Sequence, residues 1–114
     1  MAISCTRNDN SVNTLDAQLS YLLEKGSAYK LNNRDSALYF YQLALKGAKA
    51  SKNQFAIGKS FQSIGQLKRY TSEYDSAIHY LKSANSIFSS INDLENEAES
   101  YAELGMSYQS INKL

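Results

Sequence analysis

The chain repeats itself at an offset of 40 residues, and this period limits the fold more than any other feature. Two blocks recur with the same internal spacing. The recurring pairs are Asp35-Ser36-Ala37-Leu38 with Asp75-Ser76-Ala77-Ile78, Ser60-Phe61 with Ser100-Tyr101, and Ile64-Gly65 with Leu104-Gly105. A period of this length is typical of repeat architectures in which each unit is one supersecondary structure. We therefore expect stacked copies of a single unit.

The spacing of apolar and small residues within a unit is helical. Ala77, Leu81, Ala84 and Phe88 fall three or four residues apart and so share one helix face, and the chain has no proline to interrupt a helix. Capping side chains are predicted at Asn32, Asn53, Ser72 and Asp93. We expect five helices, near residues 14–31, 34–51, 54–70, 74–90 and 94–111. They form helical pairs near 14–53 and 54–93, followed by a half-repeat over 94–114.

These spaced residues resemble the tetratricopeptide repeat (TPR) family over roughly residues 14–114. The matching positions in the second unit and the half-repeat are Phe61, Ile64, Gly65, Tyr74, Ala77, Leu81, Ala84, Tyr101, Leu104, Gly105 and Tyr108. The first unit matches through Gly26, Tyr29, Ala37, Tyr41 and Ala44 if one loop residue is deleted, with Leu22 in place of the large aromatic residue. The long period, and Ser89 near the place of the usual proline, resemble a long bacterial variant. The resemblance implies an all-α, right-handed superhelical stack of antiparallel helix pairs, a TPR-like α-α solenoid.

The resemblance also implies a concave groove, built from the first helix of each pair, that holds a protein or peptide partner. The groove positions are Leu23, Glu24, Ser27, Lys30, Lys59, Gln62, Ser63, Gln66, Arg69, Tyr70, Glu99, Ala102, Glu103 and Met106. Ser63 and Glu103 stand where a clamp for a peptide carboxylate would need asparagine and arginine. We expect a polar segment as the ligand. The alternative for each position is a solvated polar face.

The residue inventory argues against catalysis and against bound cofactors. There is one cysteine, one histidine (His79, expected to be a partly exposed helix residue) and no glycine-rich phosphate loop, so we predict no enzyme activity, no cofactor and no metal site. Twelve basic residues against eleven acidic ones also disfavour nucleic-acid binding. The charges are unevenly spread, however. Basic side chains dominate between Lys25 and Arg69 and acidic ones after Tyr70, which indicates either a solvated face or head-to-tail attraction between copies.

The first 13 residues form a polar segment outside the helical pattern. Small residues precede Cys5 and polar residues follow it, as at the end of a bacterial lipoprotein signal, so Cys5 is a candidate lipidation site. The alternative is an ordinary disordered leader with a free thiol. The first interpretation predicts a periplasmic, membrane-tethered protein and the second a cytoplasmic one. No stretch is apolar enough to form a transmembrane segment.

Three functions are consistent with these patterns. The first is a peptide- or helix-binding module, the second a sensor or scaffold region of a membrane-tethered signalling protein, and the third a unit that self-assembles through its last helix. The last helix carries a broad apolar arc, which predicts a truncated array from a longer bacterial protein with Leu104 and Ile111 partly exposed. A homo-oligomer would cover the same arc.

Overall fold

The computed structural model describes residues 17–112, and this part of the chain is all α-helix, five helices packed sequentially antiparallel. The helices are α1 (residues 17–29), α2 (Arg34–Ala50), α3 (Gln54–Tyr70), α4 (Tyr74–Ser90) and α5 (Leu94–Asn112). The expected bounds of α3 and α4 are confirmed, and those of α2 and α5 differ by one residue. The predicted leader, including Cys5, lies outside the described residues. No described helix is both long and apolar enough to cross a membrane.

The helices from α2 onward start 20 residues apart, because the turns after α2, α3 and α4 each have three residues and the same conformation. The middle residue of each turn, Lys52, Ser72 or Asn92, has a positive φ of 57°, 64° or 59°. In the first of these turns Lys52 N–H donates to the carbonyl of Lys49, and Asn53 N–H donates to that of Ala48. These two hydrogen bonds together form the Schellman motif, which satisfies the last free carbonyl groups of the helix. Half of the 40-residue period is thus one helix and one turn.

In three of the four turns the residue that closes the turn also caps the next helix through its side chain. Asn33 Oδ1 accepts from Ser36 N–H at 3.1 Å, Asn53 Oδ1 accepts from Ala56 N–H at 3.0 Å, and Asp93 Oδ1 accepts from Asn96 N–H at 3.2 Å. The predicted caps at Asn53 and Asp93 are confirmed.

The predicted caps at Asn32 and Ser72 are wrong by one residue. The N-cap of α2 is Asn33, and that of α4 is Glu73, whose side chain makes no capping bond. Ser72 is instead the left-handed residue of the preceding turn. The three-residue turn leaves one position for the left-handed residue and the next for the cap, so Ser72 cannot serve as both.

Glycines on α1 and α3 form notches that the following helix fills. A Cβ on Gly26 would lie 2.5 Å from a ring carbon of Tyr41 and 3.2 Å from the carbonyl oxygen of Ala37. A Cβ on Gly65 would lie 2.7 Å from Leu81 Cγ and 3.3 Å from the carbonyl oxygen of Ala77. The two contacts are equivalent by sequence register, although the first unit is one residue shorter. The residues that repeat in the sequence therefore make the same contact in both units.

The hydrophobic core also forms between helices that follow one another in the chain. Leu81 and Phe88 of α4 are fully buried, and each burial stabilises the fold by about 1.5–3 kcal/mol. Leu104 of α5 packs against Ala77 and Leu81 and is 8% exposed. The predicted exposure of Leu104 is therefore wrong, because this side chain faces α4, while Ile111 is half-buried.

Candidate protein-binding groove

The helices α3 and α5 lie side by side and enclose a polar cavity of about 260 Å³. Every residue that lines it is one of the predicted groove positions. They are Lys59, Gln62, Ser63 and Gln66 of α3 and Glu99, Ala102 and Glu103 of α5. The cavity arises because these positions follow a three- or four-residue spacing on both helices, which brings one polar stripe of each helix to the same side.

At one end of the cavity, α3 donates hydrogen bonds to α5 through amide and ammonium groups. Lys59 Nζ donates to Asn96 Oδ1 at 3.2 Å and to Gln62 Oε1 at 3.1 Å. Gln62 Nε2 donates to Ser100 Oγ at 3.3 Å and lies 3.5 Å from Glu99 Oε2. The contact with Glu99 is at the limit of hydrogen-bond geometry. The Glu99 carboxylate, which is exposed, therefore stays available to a ligand.

At the other end an ion pair joins the two helices. Arg69 Nε donates to Glu103 Oε2 at 2.9 Å, and Gln66 Nε2 donates to Glu103 Oε1 at 3.1 Å. The side chains of Arg69 and Glu103 are only 19% and 12% exposed, so solvent screens this pair less than an ordinary surface pair. The positive charge of α3 and the negative charge of α5 thus offset each other at this end by direct pairing.

The groove positions of α1 meet those of α3 around the ring of Tyr70. The ammonium of Lys30 lies 5.9 Å from the ring centroid, and the guanidinium of Arg69 lies 5.0 Å from it. Both distances are within the range of a cation–π interaction. Next to them, the side chains of Ser27 and Tyr41 share a hydrogen bond. Tyr70 therefore connects the first helix to the wall of the cavity.

Three predicted positions take no part in this arrangement. Leu23 is half-buried and packs on the core cluster around Tyr41 and Ile64, while Glu24 and Met106 are exposed away from the residues that line the cavity. Leu23 turns inward because α1 lies over the α2–α3 contact, where an apolar side chain gains more from burial than from the groove.

Two polar residues that the sequence analysis missed belong to the network. Asn96 and Ser100 of α5 accept hydrogen bonds from Lys59 and Gln62. Asn96 lies three residues before Glu99 and seven before Glu103, so the helical stripe itself was the signal. Ser100 is fully buried, and nothing in the polar pattern separates it from a solvated serine.

The chemistry of the cavity suits recognition of polar groups. Within the described residues the hydroxyl of Ser63 makes no hydrogen bond, and Ala102 leaves space opposite it. Together with Glu99 this places a free hydroxyl and an exposed carboxylate at the mouth. Among residues 17–112, no group of three histidine, cysteine, aspartate or glutamate side chains is arranged to hold a metal ion. His79 is exposed on α4, outside the cavity, and its ring contacts Tyr80.

Comparison with protein-family models, with curated proteins and with solved structures found no match to this chain.

Proposed function

We propose that the chain is a protein-interaction module of the TPR-like solenoid type, which holds a polar peptide segment in the groove between α3 and α5. The equivalent notches at Gly26 and Gly65 support the repeat assignment, because the same backbone approach recurs in the same register. The family resemblance of the spaced residues supplies the expectation of a groove ligand.

The observation that carries the proposal is the coincidence of the cavity with the predicted groove. All seven lining residues come from the first helices of their pairs, and six of them carry polar side chains. A cavity of about 260 Å³ has room for one or two side chains of a ligand and not for a drug-sized molecule, which would need roughly 300–1,000 Å³. A peptide crossing the groove would place a side chain here and continue along α1 and α5.

The donors and acceptors at the mouth indicate the kind of side chain. Glu99 and Ser63 offer an acceptor carboxylate and a hydroxyl, whereas the groove cations Lys59 and Arg69 are already paired with Asn96 and Glu103. A ligand with amide or cationic groups would add hydrogen bonds without breaking existing ones. An anionic ligand that bonded to Arg69 would have to displace Glu103, whereas Lys59 is bonded only to the uncharged amides of Gln62 and Asn96.

A substitution that fills the cavity tests the proposal without disturbing its network. Ala102 is exposed, so Ala102→Trp leaves the helix and the Arg69–Glu103 pair intact while its indole occupies the cavity. The measurement is binding to a library of polar peptides displayed on phage, followed by titration of the selected peptides. We expect Ala102→Trp to weaken binding at least about tenfold, as loss of a central contact does.

The matched control is Ala50→Trp, which adds the same side chain at an exposed position of α2 away from the cavity. It should bind the selected peptides as the wild type does. If no peptide is selected, or if both tryptophan variants bind equally well, the groove is not the ligand site.

A further inference from the structure

The outer face of α5 carries a notch that no other described helix fills. Gly105 is the counterpart of Gly65, yet among residues 17–112 no atom beyond its immediate neighbours in α5 lies within 4 Å of the position that its Cβ would take. Tyr101 and Tyr108 flank this glycine and are 59% and 45% exposed, and Ala98 on the same stripe is exposed as well. In α3 the equivalent face is covered by α4. The face of α5 thus has the shape of a helix-docking surface without its helix.

The outer face of α1 has the side chains that fill such a notch elsewhere in the chain. Ala17, Tyr21 and Ala28 are exposed on it, with the same spacing as the buried stripe of α2 that packs on Gly26. The corresponding residues of α2 are Ala37, Tyr41 and Ala48. Tyr21 is 58% exposed and borders a shallow apolar concavity formed with Ala17, Gln18 and Leu22. The outer face of α1 therefore presents a tyrosine of the kind that could fill the notch at Gly105 on α5.

The charges of the two faces are complementary at Lys25 of α1, whereas Glu24 of the same helix has the sign of the α5 glutamates. Helix α5 has four glutamates and no basic residue, and Glu95 follows the same stripe as Ala98 and Gly105. On the α1 side, the ammonium of Lys25 lies 6.0 Å from the ring centroid of Tyr21. Attraction between such faces speeds encounter and orients it.

We propose that the protein associates head to tail with a second copy of itself, the outer face of α1 of one molecule docking on the open face of α5 of the next. Tyr21 enters the notch at Gly105, as Tyr41 does at Gly26 within one molecule. The antiparallel register set by this contact places Lys25 opposite Tyr101 of α5, about one helical turn from Glu97 and Glu99. Because the two faces differ, each molecule keeps one free face, and the contact generates chains or rings.

One residue of the α1 face, Glu24, should weaken the contact, so replacing it should strengthen the association. Glu24 stands where the stripe of α2 has Ala44, which is fully buried. Its carboxylate must reach solvent at the edge of the interface, close to the glutamates of α5. Glu24→Ala should therefore strengthen the association severalfold, an effect that general loss of structure cannot produce.

The association is measured by sedimentation velocity of the full chain over a range of concentrations. The wild type should form species larger than a monomer as concentration rises, and added salt should weaken them. Tyr21→Glu should block docking by the α1 face, and Gly105→Gln should block docking by the α5 face. Each variant alone should therefore be a monomer. An equimolar mixture of the two should form a heterodimer, because each retains the face that the other lacks.

Controls separate this contact from others. Tyr39→Glu changes a tyrosine that is 59% exposed on α2 and should behave as the wild type, and Tyr101→Glu is a second variant of the α5 face. Failure of the groove proposal does not affect this one, because Tyr21 and Gly105 do not line the cavity. A wild type that stays monomeric at high concentration overturns the proposal. So does a Tyr21→Glu variant that still dimerises, because the α5 faces would then pair with each other, or a mixture without a heterodimer.

Discussion

Tyr41 is 2% exposed, and its ring fills the notch at Gly26 while its side chain shares a hydrogen bond with Ser27. Burial raises the pKa of the Tyr41 hydroxyl above its usual value, because the phenolate would lose its hydration; the hydrogen bond from Ser27 opposes this shift, and nearby Tyr70 adds to it. A single aromatic side chain thus ties α1 to α2 through packing and also makes their contact sensitive to alkaline pH.

The raised pKa predicts how stability changes with pH. The folded protein keeps the Tyr41 proton at pH values where the unfolded chain, with a tyrosine pKa of about 10, has lost it. The contribution to stability is therefore complete below about pH 10 and is lost as pH rises towards the pKa in the folded state. Urea unfolding measures the free energy of unfolding between pH 8 and 11, a range of about three units that includes the pKa of the unfolded chain. This free energy should fall more steeply with pH for the wild type than for Tyr41→Phe.

The exposed Tyr39→Phe is the control for that experiment and should follow the wild type at every pH. Tyr41→Phe should also be less stable at neutral pH by about 1 kcal/mol, because the hydrogen bond with Ser27 is lost. Equal slopes for wild type and Tyr41→Phe would show that Tyr41 does not contribute to the alkaline transition.

At the scale of the element, the helices are ended by backbone geometry rather than by proline or glycine. Lys52, Ser72 and Asn92 occupy the left-handed position that glycine usually takes after a helix. Among them only asparagine tolerates this conformation readily, because its short polar side chain can bond locally. The tertiary packing of neighbouring helices holds the other two turns in place at a cost in local strain.

Replacing a left-handed residue by glycine should therefore stabilise the protein. We expect Lys52→Gly to raise the free energy of unfolding by up to about 1 kcal/mol, since glycine adopts a positive φ without steric conflict. Lys46→Gly, at an exposed position inside α2, is the matched control and should lower it by about 1 kcal/mol. Urea denaturation compares the two, and a Lys52→Gly variant that is no more stable than wild type would exclude strain at this turn.

At the scale of the whole molecule, the repeat places the same residue in a filled site and in an empty one. Gly65 is covered by Leu81, whereas the Cβ position of its counterpart Gly105 has no neighbour from another described helix within 4 Å. Helix propensity favours alanine over glycine at both positions, so the difference between the two sites isolates the effect of packing. The same contrast distinguishes a helix face packed against a neighbouring helix from the outer face of α5.

Replacing each of the two glycines by alanine should consequently have opposite effects on the stability of the protein in dilute solution. Gly65→Ala would force its Cβ to within 2.7 Å of the buried Leu81 Cγ, and we expect a net loss of about 1–3 kcal/mol. Gly105→Ala meets nothing and should gain up to about 1 kcal/mol from helix propensity. Thermal unfolding measures both. Destabilisation by Gly105→Ala would mean that a covering segment lies over this face.

The sequence by itself determined the helices, because they depend on local periodicity. The bounds of α3 and α4 follow from residues spaced three or four apart, and the seven residues around the cavity are positions that the family resemblance implied. The one-residue errors at Asn32 and Ser72 arose because a left-handed residue has no strong sequence signal when it is not glycine.

Only the tertiary structure decided which polar residues are already paired and which faces stay open. Arg69 and Glu103 are 34 positions apart, so nothing local predicts that they neutralise each other. Leu104 and Gly105 are adjacent, yet one is buried against α4 and the other is open, because a helix turns about 100° per residue. The 40-residue repeat specifies which residues lie on each face of a helix, and the packing of the neighbouring helices determines whether that face is covered.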